Sequence, residues 1–329
     1  MTSSEARNGS HVPGRMQRPY LGRVTTPPAE RFAEDRNWRR TFLTGSGGVR
    51  LHVVEAGPVT AEPVVLLHGF PEFWYAWRHV MAVLIAEGVR AFAPDLRGYN
   101  LSGQPPRVVD YHIDRLVDDV VALIRHMGGR ATLVGHDWGG IVAWYVGMRR
   151  PDVLRRLVIL NAPHPAAYRR ELGRGVGQWA RSAYVGFFQL PWAPEAAIRA
   201  GNFRLLRRML RRDPATPDAF TAPDLDRYAQ ALARGQSLTS ALNYYRAFVR
   251  DGGRLLSEST RIDVPTLVLW GNRDRYLRPA LADGLERWVP NVRVQRFADA
   301  THWLHRERPA DMAGEILAAV RQVPSPTRF

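Results

Sequence analysis

The stretch Ala131-Thr132-Leu133-Val134-Gly135-His136-Asp137-Trp138-Gly139-Gly140 decides the reading of this chain. Ala131–Val134 is a short apolar run that reads as a buried strand, and Ile141–Met148 beyond it reads as a helix. Between them lies a G-x-nucleophile-x-G pattern, a sharp strand-to-helix turn that presents its central side chain at the edge of a sheet. The small residues are needed because the turn is tight and the helix packs close to the strand. Serine is usual at the centre, and here the centre is Asp137. A carboxylate in that place can attack a saturated carbon and form an alkyl ester. It is poorly suited to acyl transfer. The plain alternative is a glycine-rich turn with an aspartate near a helix start.

Outward from this turn, short apolar strands alternate with helices. Strands are predicted at Thr41–Leu43, Val49–Glu55, Val64–Leu67, Val89–Ala93 and Leu157–Leu160, with Gly45–Gly48 joining the first two as a hairpin. Helices are predicted at Trp77–Glu87 and Ile113–Met127. The alternation lapses after His164 into helical segments with proline breaks. It resumes with Thr266–Trp270 (strand), Ala280–Trp288 (helix), Val292–Phe297 (strand) and Ala310–Gln322 (helix). The pattern predicts an α/β fold with a mostly parallel, doubly wound sheet. In this division residues 1–38 are a flexible tail, 39–163 with 262–329 the sheet domain, and 164–261 a helical cap over the carboxyl ends of the strands. Open α/β sheets bind ligands at that edge.

Length and composition fit one such domain with an insertion: 329 residues, 45% of them apolar and 23% charged. The longest apolar stretch, Val80–Ala86, is far below the ~18–20 residues of a membrane span. No apolar core follows the first basic residues, so a secretory signal is not expected and the protein is predicted to be cytoplasmic. The absence of cysteine excludes disulfides, thiol catalysis and Cys-ligated metal sites. The net charge of +15 comes entirely from arginine, since the chain has no lysine. These arginines are scattered, whereas a nucleic-acid binder concentrates its basic residues, so no nucleic-acid partner is expected. The densest group, Arg204, Arg207, Arg208, Arg211 and Arg212, alternates with Leu205, Leu206, Met209 and Leu210. It reads as the solvated face of an amphipathic helix.

Three further segments carry chemistry. His68-Gly69-Phe70-Pro71 follows the strand Val64–Leu67. With an elbow at Asp137, an oxyanion would be held by the N–H of the residue after the nucleophile and one from this loop, which makes Trp138 and Phe70 the candidates. Asp274, in Trp270-Gly271-Asn272-Arg273-Asp274, and His302, in Ala300-Thr301-His302-Trp303, each follow a strand. They give the chain order nucleophile, acid, histidine. Asp274 would orient the imidazole and His302 would deprotonate a water. Asn161 also ends a strand, but its amide cannot supply the negative charge of that acid.

With these residues the chain resembles the α/β-hydrolase-fold epoxide hydrolases over nearly its whole length after the tail. The resemblance rests on His68-Gly69-Phe70-Pro71-Glu72-Phe73-Trp74-Tyr75-Ala76-Trp77-Arg78, on the Asp137 turn, on Asp95-Leu96-Arg97-Gly98-Tyr99, on Asn243-Tyr244-Tyr245-Arg246 and on His302-Trp303. It implies two cap tyrosines that hydrogen-bond the epoxide oxygen. They fall on Tyr184 and Tyr245, with Tyr244 as the rival because neighbouring helix residues point about 100° apart. It also sets Glu72 beside the hydrolytic water, with a surface role as the alternative. Thr301 and His305 depart from the family, which often has glycine or serine at the first and glutamine at the second.

The resemblance implies hydrolysis of a small-molecule epoxide to a vicinal diol, with no metal or organic cofactor, by a monomer or homodimer. A haloalkane or haloacid dehalogenase would share the aspartate and the ester, but would leave both tyrosines without a task. A binding protein on the same scaffold would have no need of nucleophile, acid and base together.

Overall fold

The computed structural model describes residues 38–258 and 261–321; the expected N-terminal tail lies outside them except for its last residue, Trp38. Eight strands form a single sheet in the order β1-β2-β4-β3-β5-β6-β7-β8: β1 (Arg39–Thr44), β2 (Arg50–Ala56), β3 (Pro63–Leu67), β4 (Arg90–Pro94), β5 (Ala131–His136), β6 (Leu154–Leu160), β7 (Thr266–Gly271) and β8 (Val292–Phe297). The β1–β2 and β2–β4 pairs are antiparallel and all the others parallel. The central strands are covered on both faces, which is why they read as unbroken apolar runs: Val64–Leu67 and Leu157–Leu160 have no exposed surface.

Helices α1 (Arg78–Ala86), α2 (Ile113–His126) and α3 (Trp138–Arg149) belong to this first half. Between β6 and β7 the described chain is helical without a strand: α4 (Pro165–Leu172), α5 (Val176–Arg181), α6 (Ala183–Phe187), α7 (Ala193–Arg212), α8 (Ala222–Ala233), α9 (Ser237–Asp251) and α10 (Gly253–Ser257). Helix α7 is interrupted at residues 200–203, where Gly201, Asn202 and Phe203 take left-handed backbone angles. The described residues end with α11 (Leu304–Glu307) and α12 (Pro309–Arg321). The helix expected at Ala280–Trp288 is instead two single turns, Pro279–Ala282 and Leu285–Arg287. Gly284, at φ +64°, breaks it. Among the described residues no helix is long and apolar enough to cross a membrane.

One buried charge cluster fixes part of the helical insertion to the sheet domain. Asp224, in the first turn of α8, accepts from Arg78 at 2.9 and 3.0 Å, from Arg306 at 2.8 Å and from the Tyr75 hydroxyl at 3.1 Å. On the other side, Gln178 of α5 donates to the carbonyl of Tyr276 at 2.9 Å, and Arg181 donates to that of Asp274.

The strand registers bring the loops of interest together. Leu67 pairs with Gly135, His136 with Leu160, and Leu160 with Leu269. The residues just past these carboxyl ends are therefore neighbours in space.

Candidate active site

Asp137 occupies the turn between β5 and α3 with φ 49° and ψ −120°. A non-glycine residue in this region is strained by about 1–3 kcal/mol and persists only where its surroundings hold it. Two glycines allow the turn. A Cβ on Gly139 would lie 2.3 Å from the carbonyl oxygen of Leu67, and one on Gly69 would lie 2.4 Å from Oδ1 of Asp137. Without side chains at both places, α3 and the loop after β3 close onto the aspartate.

The Phe70 N–H donates to Asp137 Oδ1 at 2.8 Å, and Oδ2 lies 3.6 Å from Nε2 of His302. The two carboxylate oxygens thus face different partners. The Trp138 N–H opens α3, where backbone donors have no helical acceptor. His302 Nδ1 is 2.7 Å from Oδ2 of Asp274. The Asp274 carboxylate also accepts from the Asn161 side chain at 2.6 Å and from the amides of Tyr276 and Leu277 at 2.7 and 2.9 Å. Burial would raise this carboxyl, but the His302 ring and these donors hold it below the usual carboxylate range. Burial would likewise lower His302, but the carboxylates of Asp274 and Asp137 hold it up at about 10.

Asn161 therefore has a place that its sequence position alone did not give: it donates to the acid rather than replacing it.

Tyr184 and Tyr245 meet above the aspartate, with ring centroids 5.9 Å apart at 77°. Burial pushes both hydroxyls well above the ordinary tyrosine value, and the Asp137 carboxylate adds to the effect. Tyr244 points elsewhere, donating to the carbonyl of Arg97 at 2.7 Å. Asp137, Tyr184 and Tyr245 line two cavities at once. The larger, about 280 Å3, is walled by Phe70, Phe188, Leu206 and Met209 among others, and His302 also reaches it. The smaller, about 70 Å3, runs past Ile141, Val185 and Phe248.

Glu72 is fully buried, so the surface alternative does not hold. Its Oε2 is 2.9 Å from His136 Nδ1, and its Oε1 is 2.9 Å from His305 Nε2 and accepts from Tyr228 at 3.2 Å. His136 Nε2 in turn faces the carbonyl of His302 at 2.9 Å. Burial would raise Glu72, but His305 and His136 keep it well below the usual range, as a carboxylate. Burial brings His305 down to about 4. Among the described residues, these three also form the set that could hold a metal ion, with ligand atoms within 4.8 Å of one another. The hydrogen bonds just described already occupy both carboxylate oxygens.

The family profile for the alpha/beta hydrolase fold matches residues 62–309. The AB hydrolase superfamily protein YfhM of Bacillus subtilis (strain 168) is 40% identical over 269 residues, 82% of this chain and 93% of that protein. Human epoxide hydrolase 4 is 32% identical over 276 residues, 82% of this chain and 75% of that protein. The crystal structure of the Bacillus megaterium epoxide hydrolase with an inhibitor superposes with a TM-score of 0.77 at 31% identity, covering 85% of this chain and all of that one. A profile match over most of the length, relatives matched along three quarters or more of theirs, and the fold itself agree: the chain belongs to the α/β-hydrolase family, as an epoxide-hydrolase-like member.

Proposed function

We propose that this protein hydrolyses epoxides to vicinal diols through an ester on Asp137, with residues 164–261 serving as a cap over the reacting groups. The observation that carries this reading is the pairing of two buried tyrosine hydroxyls, Tyr184 and Tyr245, with an aspartate in one largely apolar cavity. Opening an epoxide creates an alkoxide, a poor leaving group that needs a proton donor. A halide needs none. Tyrosines pushed well above their usual value stay protonated and available as donors.

In the first step Oδ2 of Asp137 attacks one epoxide carbon, the ring C–O bond breaks, and the alkoxide takes a proton from Tyr184 or Tyr245. Oδ1, already on the Phe70 amide, becomes the ester carbonyl oxygen. Ester formation removes the Asp137 charge, one of the supports that keep His302 protonated, so the imidazolium passes its proton to the tyrosinate and the neutral imidazole becomes able to accept another. His302, oriented by Asp274, takes a proton from water while the hydroxide attacks Cγ of Asp137. The oxyanion rests on the Phe70 and Trp138 amides. Collapse expels the diol oxygen, which takes the proton from His302, and the new carboxylic acid gives its proton to the imidazole, restoring carboxylate and imidazolium. Glu72 and His136 hold the His302 carbonyl, and through it the loop that carries the base.

One turnover in heavy-oxygen water with enzyme in excess tests the reading. Unlabelled diol and label in the Asp137 carboxylate are expected. Label in the first-turnover diol would show direct attack by water and remove Asp137 as the nucleophile. Released halide without diol would make the protein a dehalogenase.

A further inference from the structure

Of the nine large apolar side chains left exposed among the described residues, six fall between Val176 and Leu205. Soluble proteins scatter such residues singly, and a concentration of them marks a contact surface. Phe187 and Leu205 are 39% and 56% exposed, and both also line the larger cavity that reaches Asp137. They therefore mark where that cavity meets solvent. Leu190 and Trp192, 48% and 75% exposed, sit in the turn that follows Phe187.

The second half of α7 places charge beside this mouth. At 100° per residue, Leu206 and Leu210 form its buried side, and Arg204, Arg208 and Arg211 lie opposite. Leu205 and Arg212 fall between that cationic face and Met209, which lines the cavity. Arg204, Arg208, Arg211 and Arg212 are exposed and have no ion-pair partner among the described residues, whereas Arg207 pairs with Asp226 at 2.6 Å. With Gly201 and Asn202 the arginines enclose a surface hollow of about 390 Å3.

We infer that this face of α6 and α7 docks on an anionic lipid surface, with phosphate headgroups among the arginines and Leu190, Trp192 and Leu205 in the acyl boundary. Cations beside exposed tryptophan and leucine are the composition that lies in a bilayer interface without spanning it. A polyanion in water would engage the arginines and give the leucines nothing. A second copy would set this cationic face against its own like charges across a two-fold axis. An apolar solute dissolved in the bilayer would then reach the cavity without crossing water; that consequence rests on the epoxide reading, while the docking does not.

Co-sedimentation of the full chain with vesicles tests the docking, using phosphatidylcholine alone and phosphatidylcholine mixed with phosphatidylglycerol. Binding to the mixed vesicles is expected, weakening as salt rises. A surface arginine contributes about fivefold to such affinity, so the R204E/R208E/R211E variant should bind at least on the order of 100-fold more weakly. Trp192→Ser should weaken binding while leaving its salt dependence in place. The arginine variant should keep its melting temperature and its turnover of a small water-soluble epoxide, since none of the three lines the cavity. Loss of vesicle binding with turnover intact, or the reverse, separates the two readings. No binding to the mixed vesicles at low salt, equal binding to phosphatidylcholine alone, or no loss in the arginine variant would overturn the inference. So would a wild-type dimer in sedimentation velocity that the arginine variant abolishes, or retention on duplex DNA without vesicle binding.

Discussion

His136 Nε2 lies 2.9 Å from the main-chain oxygen of His302, so the residue preceding Asp137 holds the loop that carries the facing imidazole. Behind it stands the Glu72 carboxylate, which receives His136, His305 and Tyr228 without contact with solvent. Glu72→Gln would replace one accepting oxygen with an NH2 donor facing a ring nitrogen or the Tyr228 hydroxyl, and a buried polar group left unsatisfied in this way costs about 1–3 kcal/mol. Denaturant unfolding should show that loss, and single-turnover kinetics should show ester hydrolysis slowed more than ester formation. His305→Gln keeps a donor toward Glu72 and removes the ring Nδ1, which has no hydrogen-bond partner. It should be close to neutral in both measurements.

Replacing His302 with glutamine should stop ester hydrolysis while leaving ester formation. Epoxide addition should then leave a protein heavier by the mass of the epoxide, read by mass spectrometry. An inactive variant without that adduct would place His302 before the covalent step.

Tyr184→Phe or Tyr245→Phe alone should lower epoxide turnover moderately, because one donor remains. The double change should lower it by about 10²–10⁴-fold, the usual contribution of general-acid assistance. Tyr244→Phe is the internal control. Its hydroxyl serves the Arg97 carbonyl, so its removal should cost about 1 kcal/mol of stability and leave turnover intact.

The sign of the pH effect at His302 is fixed by its raised value. A histidine held at about 10 in the folded state, against its ordinary 6.5 when unfolded, stabilises the protein fully below pH 6.5. That contribution fades as pH rises through 10. The difference in melting temperature between wild type and His302→Gln should therefore be largest in mildly acidic buffer and shrink steadily toward strongly alkaline pH. A difference that grows with pH would contradict an imidazolium held between Asp274 and Asp137.

The two cavities that share Asp137, Tyr184 and Tyr245 differ about fourfold in volume, 280 against 70 Å3. A disubstituted epoxide with one bulky and one small arm is expected to occupy both. Val185→Phe narrows the smaller one, and should reduce turnover of internal epoxides well below that of terminal ones in a paired assay.

The residues that meet at the candidate site were legible because local sequence fixes them. Asp137 is set by a turn that only small neighbours permit, and Asp274 and His302 by their places after apolar strands. Tyr245 needed the fold to separate it from Tyr244, since both fit the same motif. Glu72, His136, His305 and Tyr228 were not legible as a set: the chain separates His305 from Glu72 by 233 residues and His136 from Glu72 by 64. No periodicity reports such a meeting. Position 280–288 misled in the opposite sense, because its apolar spacing suits a helix that Gly284 prevents. Asn161 was readable as a strand end, yet its partner at Asp274 lies 113 residues on.

The Asp224 cluster divides the helical insertion into parts of unequal tolerance to change. Arg78 and Arg306 converge on one carboxylate, so any exchange of α8 with a related protein must bring an acid to position 224 or remove the carboxylate these two buried cations share. The turn and helix from Phe187 to Arg212 reach the cavity through Phe188, Leu206 and Met209 and take no part in that cluster. A library confined to this stretch can therefore vary the shape of the cavity while its frame stays bolted to the sheet.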